Sequence, residues 1–174
     1  MQRISVIGTS GSGKTTVARR AAEALGVPHI ELDALHWGPD WEEAPPEVFM
    51  ERVSDAIHVD RWVVDGNYSK VRDIVWGRAD TVLWLDYPFH TLFMRLLWRT
   101  LRRIILREKL WNDNRESLKM MLSRDSILLW AINSYPRRKI EFPGLMSDPD
   151  YAHVQFLRHR SSRETEEWLR SLRP

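Results

Sequence analysis

Short apolar runs alternate along the chain with longer segments in which apolar residues recur at helical spacing. The apolar runs predict buried strands at residues 4–7, 29–32, 62–64, 81–85 and 153–157. The helical spacing predicts helices over residues 15–25, 47–59, 69–77 and 161–172, and a longer helix that begins near Pro88. Ser161 and Glu164 have the spacing of a capping box at the last helix. This alternation predicts an α/β fold in which helices cover a parallel sheet.

The longer helix leads into a helical insertion. Its apolar stripe runs from Leu92 to Ile105, and four arginines fall on another stripe: Arg95, Arg99, Arg102 and Arg103. Residues 108–142 continue the helical character. A length of 174 residues favours one domain. We therefore predict a single domain, with a core of residues 1–94 and 143–174 and an inserted helical region at about 95–142.

Composition excludes several classes of protein. Hydrophobic residues make up 43% and charged residues 29% of the chain, which is typical of a folded protein rather than a disordered one. The chain has no cysteine, which excludes disulfides, thiolate metal sites and a cysteine nucleophile. It has neither a long apolar run nor the pattern of a signal peptide, so the sequence predicts a cytoplasmic protein that does not span a membrane.

Charge is distributed unevenly. Residues 1–94 carry 9 basic and 14 acidic residues, residues 95–139 carry 12 and 4, and residues 140–174 carry 5 and 6. The basic middle predicts a bound anion, and arginine suits two-point contacts with phosphate. A solvated basic face on the helices and a nucleic-acid surface are the alternatives.

A glycine-rich loop follows the first predicted strand. Residues 8–15 fit the pattern G-x-x-x-x-G-K-[ST] in full, between an apolar strand and an amphipathic helix, and this context argues against a chance glycine-rich turn. Such a loop binds phosphate with its backbone N–H groups, and the helix adds its positive end. Lys14 is expected on the β- and γ-phosphates and Thr15 on Mg²⁺. The expected nucleotide contacts are Gly8, Ser10, Gly11, Ser12, Gly13, Lys14, Thr15 and Thr16.

Three aspartates follow predicted strands. Asp33 ends the second strand, Asp65 the third and Asp86 the fourth. Ligands of parallel sheets lie at the carboxyl ends of the strands, so one aspartate could hold Mg²⁺ and another could orient or deprotonate a hydroxyl. The alternative for each is a loop-capping aspartate, and Asp86 also reads as a plain helix start.

With these motifs the chain resembles the adenylate-kinase-like P-loop kinases. Within them it is most similar to the DNA topology modulation proteins, or adenylate-kinase-related kinases. The resemblance rests on residues 8–15, 32–37, 64–69, 80–86 and 107–116, and it covers nearly the whole chain. It implies a five-stranded parallel sheet in the order 2-3-1-4-5, an acceptor-binding segment after strand two, and a mobile lid after strand four. It also implies ATP and Mg²⁺ as cofactors.

The resemblance implies roles for individual residues. Asp65 would belong to the magnesium shell, together with Thr15. Arg99 would contact the transferring phosphate, with Arg95 as a weaker companion. Asp33 would act on the acceptor as the strand-two aspartate does in small-molecule kinases. Arg160 lies where such kinases contact the adenine, and packing of the last helix is the alternative.

The acceptor segment departs from adenylate kinases. They continue Asp-Gly with Phe-Pro-Arg, whereas Asn67, Tyr68 and Ser69 follow here, without an arginine. Residues 31–60 carry nine acidic residues and one basic residue, Arg52. An anionic acceptor would meet unfavourable charge in this segment. The sequence therefore favours a neutral or cationic hydroxyl compound over a nucleoside monophosphate.

Aromatic residues leave two interpretations open. Trp37 and Trp41 could stack on a planar acceptor, although packing in the core is the more common role of a tryptophan. His36 could lie in the pocket or at the surface. The remaining assignments are Trp62 and Trp84 to the core, and Trp98, Trp111 and Trp130 to packing of the lid helices.

The sequence thus predicts an ATP-dependent phosphotransferase that acts on a small acceptor, as a nucleoside, nucleotide or small-molecule kinase. The catalytic residues would be Lys14, Asp33, Asp65 and Arg99. Two alternatives remain: a nucleotide-dependent DNA-binding regulator, and an ATPase switch that needs no acceptor. The partners would be ATP and the acceptor, and the protein would be a monomer or a homodimer.

Overall fold

The computed structural model describes residues 2–114, 117–121, 123 and 126–173. Its centre is a parallel sheet of five strands in the order β2-β3-β1-β4-β5, as predicted. The strands are β1 (Arg3–Gly8), β2 (His29–Glu31), β3 (Trp62–Asp65), β4 (Thr81–Leu85) and β5 (Gln155–His159). Val6 pairs with Asp65 on one side of β1, and Gly8 pairs with Leu85 on the other. This register brings the ends of β3 and β4 to the glycine-rich loop.

Eight helices surround the sheet in the described part of the chain. They are α1 (Lys14–Leu25), α2 (Leu32–His36), α3 (Pro46–Ala56), α4 (Arg72–Trp76), α5 (Phe89–Leu106), α6 (Leu118–Met121), α7 (Ile127–Met146) and α8 (Ser162–Ser171). Short 3-10 turns occur at Pro39–Trp41, Ser69–Val71, Trp111–Asp113 and Pro149–Tyr151. None of the described helices is long and apolar enough to cross a membrane.

Several predicted boundaries are wrong. β2 ends at Glu31, so Asp33 lies in α2 instead of ending a strand, and its carbonyl accepts a hydrogen bond from the Trp37 N–H at 3.0 Å. β5 begins two residues later than predicted, because Val154 closes the preceding turn by bonding to the Tyr151 carbonyl. Residues 69–77 form a 3-10 turn and α4 instead of one helix, and α7 continues past residue 142 to Met146.

The apolar core lies on both faces of the sheet. One cluster joins the sheet to α1 and α8, and the other joins it to α3, α4 and the end of α7. Trp62 and Trp84 are fully buried there, as predicted. Trp98 is 68% exposed on α5, so its predicted packing role is wrong. The predicted capping box is confirmed, since Ser161 Oγ accepts from the Glu164 N–H at 3.3 Å.

Candidate functional site

The glycine-rich loop connects the end of β1 to the start of α1. Gly13 is the N-cap of α1, and the first turn holds Lys14 and Thr15 without an acidic residue, so the positive helix end stays open to an anion. Gly11 has a φ of 85°, and a Cβ there would collide with the Leu92 carbonyl of α5. The loop therefore needs glycine for its turn and for its close approach to α5.

Asn67 fixes the beginning of this loop. Its Oδ1 accepts a hydrogen bond from the Gly8 N–H at 3.0 Å, and its Nδ2 donates to the Gly8 carbonyl. The side-chain amide thus pairs with both polar backbone groups of one residue, as a neighbouring strand would. Asn67 directly follows Gly66, whose φ of 144° and contact with Leu32 leave no room for a Cβ.

Lys14 lies where four charged side chains converge. Removal of its ammonium group from water lowers the pKa of Lys14 below the usual value of 10.5. The negative charges of Asp33 and Asp65 oppose this shift, and the positive charges of Arg138 and Arg99 add to it. The structure therefore brings together three of the predicted catalytic side chains around the fourth, and it adds Arg138.

Asp65 connects the loop to β2. Its Oδ2 accepts a hydrogen bond from Thr15 Oγ1 at 2.6 Å, and its Oδ1 lies 2.8 Å from His29 Nε2. Asp65 is 3% exposed. Hydroxyl and carboxylate oxygens are ligands that suit Mg²⁺, and these two lie close enough to bind one ion. Among the described residues no group of three or more histidine and acidic side chains is placed to hold a metal ion, so Mg²⁺ here would take further ligands from phosphate and water.

Asp33 is the second carboxylate whose charge acts on Lys14. Its Oδ1 accepts a hydrogen bond from the phenol of Tyr68 at 2.6 Å. Burial, followed by the charge of Asp33 and this hydrogen bond, raises the pKa of Tyr68 far above its usual value, so the phenol remains a donor. Asp33 Oδ2 is the carboxylate oxygen that this bond leaves to accept from another donor.

Four arginines enter the same cleft from α5 and α7. Arg95, Arg99, Arg103 and Arg138 all line it. Arg95 also donates to Ser162 Oγ at 2.8 Å. Arg138 is 5% exposed and lies 4.5 Å from the centre of the Trp130 ring. Burial, followed by the charge of Arg137, lowers the pKa of Arg138 to about 10, and its Nη1 has no hydrogen-bond partner within the described ranges. Such a guanidinium suits a ligand with anionic oxygens.

Asp86 has a different environment. It forms ion pairs at 2.7 Å with Lys139 of α7 and with Arg158 of β5, and it lies outside the described residues that line the cleft. These contacts favour a role for Asp86 in holding β5 and α7 together. Asp65 is the aspartate that lies beside Thr15. Arg160 is exposed, and its backbone N–H donates to Glu164 Oε2 at 2.8 Å. It too lies outside the lining, so its predicted contact with adenine stays a prediction.

The cleft has a volume of about 1310 Å³ and continues from the glycine-rich loop to an aromatic end. The predicted nucleotide-binding residues that line it are Ser10, Gly11, Gly13, Lys14, Thr15, Thr16, Arg95 and Arg99; Gly8 and Ser12 lie outside the described lining. His36 is 5% exposed and lines the aromatic end, which answers the open question of its position. Trp37, Trp41, Trp111 and Trp130 line this end as well.

Residues 110–114 form a clasp with residues 37–41 across the aromatic end. Asn114 accepts a hydrogen bond from the Trp41 N–H at 3.0 Å and donates to the Gly38 carbonyl at 2.8 Å. Asn112 donates to the Trp37 carbonyl at 2.5 Å. The clasp joins the predicted lid to the predicted acceptor segment in this structure.

Sequence reasoning missed four contributors: His29, Asn67, Tyr68 and Arg138. Asn67 and Tyr68 stood inside a recognised motif, but no local pattern shows that their side chains reach back to Gly8 and Asp33. Arg138 is one of the 12 basic residues counted in residues 95–139, and its position in the sequence does not separate it from the others. Arg138 differs from the other arginines that the structure describes because it is buried. The sequence of α7 has no pattern that predicts this burial.

Comparisons with known proteins agree with this architecture. No family model matches the chain. A gluconokinase from Sinorhizobium meliloti 1021 aligns over 97% of this chain and 87% of its own, with a TM-score of 0.54 and 20% identity. Shikimate kinases from Bacteroides thetaiotaomicron and Aquifex aeolicus vf5 align over 97% of this chain and over 94% and 91% of their own. Their TM-scores are 0.54 and 0.55, each with 16% identity.

One relative shares a local stretch of sequence. Over 50 residues the chain is 42% identical to a cytidylate kinase from Nitratidesulfovibrio vulgaris strain DP4, which is 24% of this chain and 22% of that protein. The match therefore spans less than a quarter of either protein. Taken with the structural likeness, these findings show that the chain has the α/β fold of the P-loop kinases.

Proposed function

We propose that this protein transfers the γ-phosphoryl group of ATP to a hydroxyl group of a small molecule. The observation that carries the proposal is the convergence of Asp33, Asp65, Arg99 and Arg138 on Lys14, at the end of a glycine-rich loop. The kinase names of the structural neighbours and of the local relative support the same reaction class. The earlier resemblance to DNA topology modulation proteins agrees with it but does not name an acceptor.

The residues would divide the reaction between them. Asp33 Oδ2 accepts the proton of the acceptor hydroxyl, and the hydroxyl oxygen forms a bond to the γ-phosphorus. The bond from that phosphorus to the β,γ-bridging oxygen breaks, and ADP leaves with its electron pair. Lys14, Arg99 and Arg138 stabilise the charge on the transferring group. Mg²⁺, held near Thr15 and Asp65 when bound, would neutralise charge on the β- and γ-phosphates.

The test is ADP release from ATP and Mg²⁺ with a panel of acceptors. The panel holds nucleosides, nucleoside monophosphates, sugars and hydroxylated amines. We expect one acceptor class to stimulate turnover, and Lys14→Ala and Asp33→Asn each to lower kcat by about 1000-fold. Glu51→Gln, on the exposed side of α3, serves as the matched control. Full turnover in both site variants, or turnover without acceptor dependence, would overturn the proposal.

A nucleoside monophosphate is the second candidate acceptor. The 42% identity to a cytidylate kinase over 50 residues favours it, whereas the acidic side chains of residues 31–60 oppose it. CMP and AMP therefore belong in the panel. Stimulation by either would assign a nucleotide kinase and would remove the charge argument about the acceptor segment.

A further inference from the structure

The cleft divides into a basic half and an acidic half, with Asp33 between them. The basic half holds Lys14, Arg95, Arg99, Arg103 and Arg138, and the acidic half holds Glu31 and Glu43. Lys109 also lines the cleft, two positions before Trp111 in the chain. The charge of Asp33 acts on Lys14 and Arg138 on one side, and on His36 and Tyr68 on the other. Transferring phosphate fits the basic half. The acidic half is therefore left for the part of the acceptor that lies beyond its reacting hydroxyl.

A continuous aromatic wall leads from Asp33 into the acidic half. The Tyr68 and His36 rings lie 4.6 Å apart, the His36 and Trp37 rings 4.8 Å apart, and the Trp37 and Trp41 rings 5.7 Å apart. Indole and phenol faces carry negative electrostatic potential and attract organic cations. The wall thus adds to the preference that the carboxylates create.

The two carboxylates flank this wall. Glu31 accepts a hydrogen bond from the indole N–H of Trp111 at 3.0 Å, and Glu31 is half-buried. Glu43 Oε2 lies 3.8 Å from His36 Nε2, and its side chain is 62% exposed. Since water screens exposed charge, Glu31 is the stronger of the two for a ligand in the cleft. Neither contact neutralises a carboxylate, because the indole N–H is uncharged and His36 is held neutral.

The imidazole of His36 contributes no positive charge to the acidic half at neutral pH. Burial lowers the pKa of His36 below its usual value of 6.5. The charges of Glu43 and Asp33 oppose this shift, and the charge of Lys70 adds to it. His36 Nδ1 is buried and has no hydrogen-bond partner among the residues that the structure describes. A neutral imidazole adds no positive charge beside the two carboxylates, so the charge of this half is set by Glu31 and Glu43 and favours a ligand that carries positive charge.

We propose that the acceptor is an organic ammonium alcohol, with its hydroxyl at Asp33 and its ammonium group between the aromatic wall and Glu31. The proposal rests on the proposed function for the hydroxyl, whereas the ammonium site stands on the charge and geometry of the acidic half. A carboxylate or phosphate in this place would face Glu31 and Glu43. A neutral acceptor would gain no attraction from the charges of Glu31 and Glu43.

Choline and its uncharged isostere 3,3-dimethyl-1-butanol test the ammonium site directly. Tryptophan fluorescence gives the affinity of each, at constant ionic strength and with the folded full-length protein. We expect choline to bind about tenfold more tightly than the isostere. Glu31→Gln keeps an acceptor for the Trp111 indole but removes the negative charge. It should therefore lower the affinity for choline about tenfold and leave the affinity for the isostere unchanged. Glu43→Gln should have a smaller effect and Glu51→Gln none.

Equal affinity for the two probes, absence of choline binding, or an unchanged choline affinity in Glu31→Gln would overturn the ammonium site. The same titration in Lys14→Ala separates this proposal from the phosphoryl-transfer proposal. Choline preference in a protein whose ATP turnover ignores Lys14 would sustain the site and reject the kinase. Lys14-dependent turnover with no choline preference would sustain the kinase and reject the site.

Discussion

At the scale of single residues, the phenol of Tyr68 controls the orientation of Asp33. The two oxygens lie 2.6 Å apart, and Tyr68 itself is fixed by ring contacts with His36 at 4.6 Å and with Phe49 at 5.1 Å. One carboxylate oxygen of Asp33 is thereby occupied, and the other is presented in a defined direction. Positioning of this kind affects the chemical step more than it affects binding of ATP.

Tyr68→Phe removes that hydrogen bond and retains the ring contacts. We expect kcat to fall by about 10- to 100-fold, as a hydrogen bond to a charged group is worth about 1.5 to 3 kcal/mol, while KM for ATP stays the same. Steady-state kinetics with the stimulating acceptor measures both constants. Tyr151→Phe is a matched control, because it removes a similar bond, at 2.5 Å to Asp73, outside the described cleft lining. An unchanged kcat in Tyr68→Phe would reject the positioning role.

At the scale of structural elements, residues 65–68 contact three separate parts of the candidate site. Asp65 contacts Thr15, Asn67 pairs with Gly8, and Tyr68 binds Asp33. The positive φ of Gly66 and its packing against Leu32 set the direction of the side chains that follow. The sequence indicated the importance of this segment through its resemblance to a family motif. The residues that Asp65, Asn67 and Tyr68 contact lie 35 to 59 positions away in sequence, and no local pattern encodes such contacts.

The strands were easier to predict than the contacts between elements. β1, β3 and β4 are buried on both faces, so each appears as an uninterrupted apolar run. β5 lies at the edge of the sheet and is only partly buried, and its apolar signal merged with Val154 of the preceding turn. α1, α3, α5 and α8 were predicted with errors of a few residues at their ends, whereas α2 was not predicted. Residues 108–142 were predicted only as helical, without the bounds of α6 and α7.

The clasp between residues 110–114 and residues 37–41 provides a prediction at this scale. Asn114 makes two hydrogen bonds to the facing loop, so Asn114→Ala should release residues 37–41. We expect the amide of Trp41 to exchange its hydrogen about tenfold faster, because two hydrogen bonds contribute about 1 kcal/mol or more to its protection. Hydrogen exchange measured by mass spectrometry tests this. Asn133→Ala, at an exposed position of α7, is the control, and equal exchange rates in the two variants would contradict the clasp.

At the scale of the whole molecule, the charge distribution along the sequence becomes a charge distribution across one cleft. Residues of the acidic segment 31–60 and of the basic segment 95–139 line the same cleft, and the two segments meet at its aromatic end. Sequence analysis predicted an anion on the basic segment and a neutral or cationic acceptor on the acidic one. The sequence alone could not show that Asp33 stands at the boundary, because that position depends on the fold of α2 after β2. Nor could it distinguish Asp65 from Asp86, since both follow buried strands.

The structure distinguishes these two aspartates by their neighbours, and matched Asp→Asn variants test the distinction. Asp86 joins β5 to α7 through Arg158 and Lys139, whose side chains are 33% and 35% exposed. Because water partly screens both partners, we expect Asp86→Asn to lower the free energy of unfolding by about 2 to 3 kcal/mol, below the range for fully buried pairs. Urea denaturation measures this loss, and the affinity of the folded protein for ATP in the presence of Mg²⁺ should stay the same.

Asp65→Asn should show the opposite pattern. An amide in place of the carboxylate retains an acceptor for the Thr15 hydroxyl, so the loss of stability should be smaller than in Asp86→Asn. Removal of the negative charge beside Thr15 should instead weaken the dependence of nucleotide affinity on Mg²⁺, which a titration of ATP at several Mg²⁺ concentrations detects. If Asp86→Asn changed the Mg²⁺ dependence and Asp65→Asn did not, the magnesium shell would have to be assigned to Asp86 at the end of β4. Asp86 would then bind Mg²⁺ in addition to its ion pairs with Lys139 and Arg158.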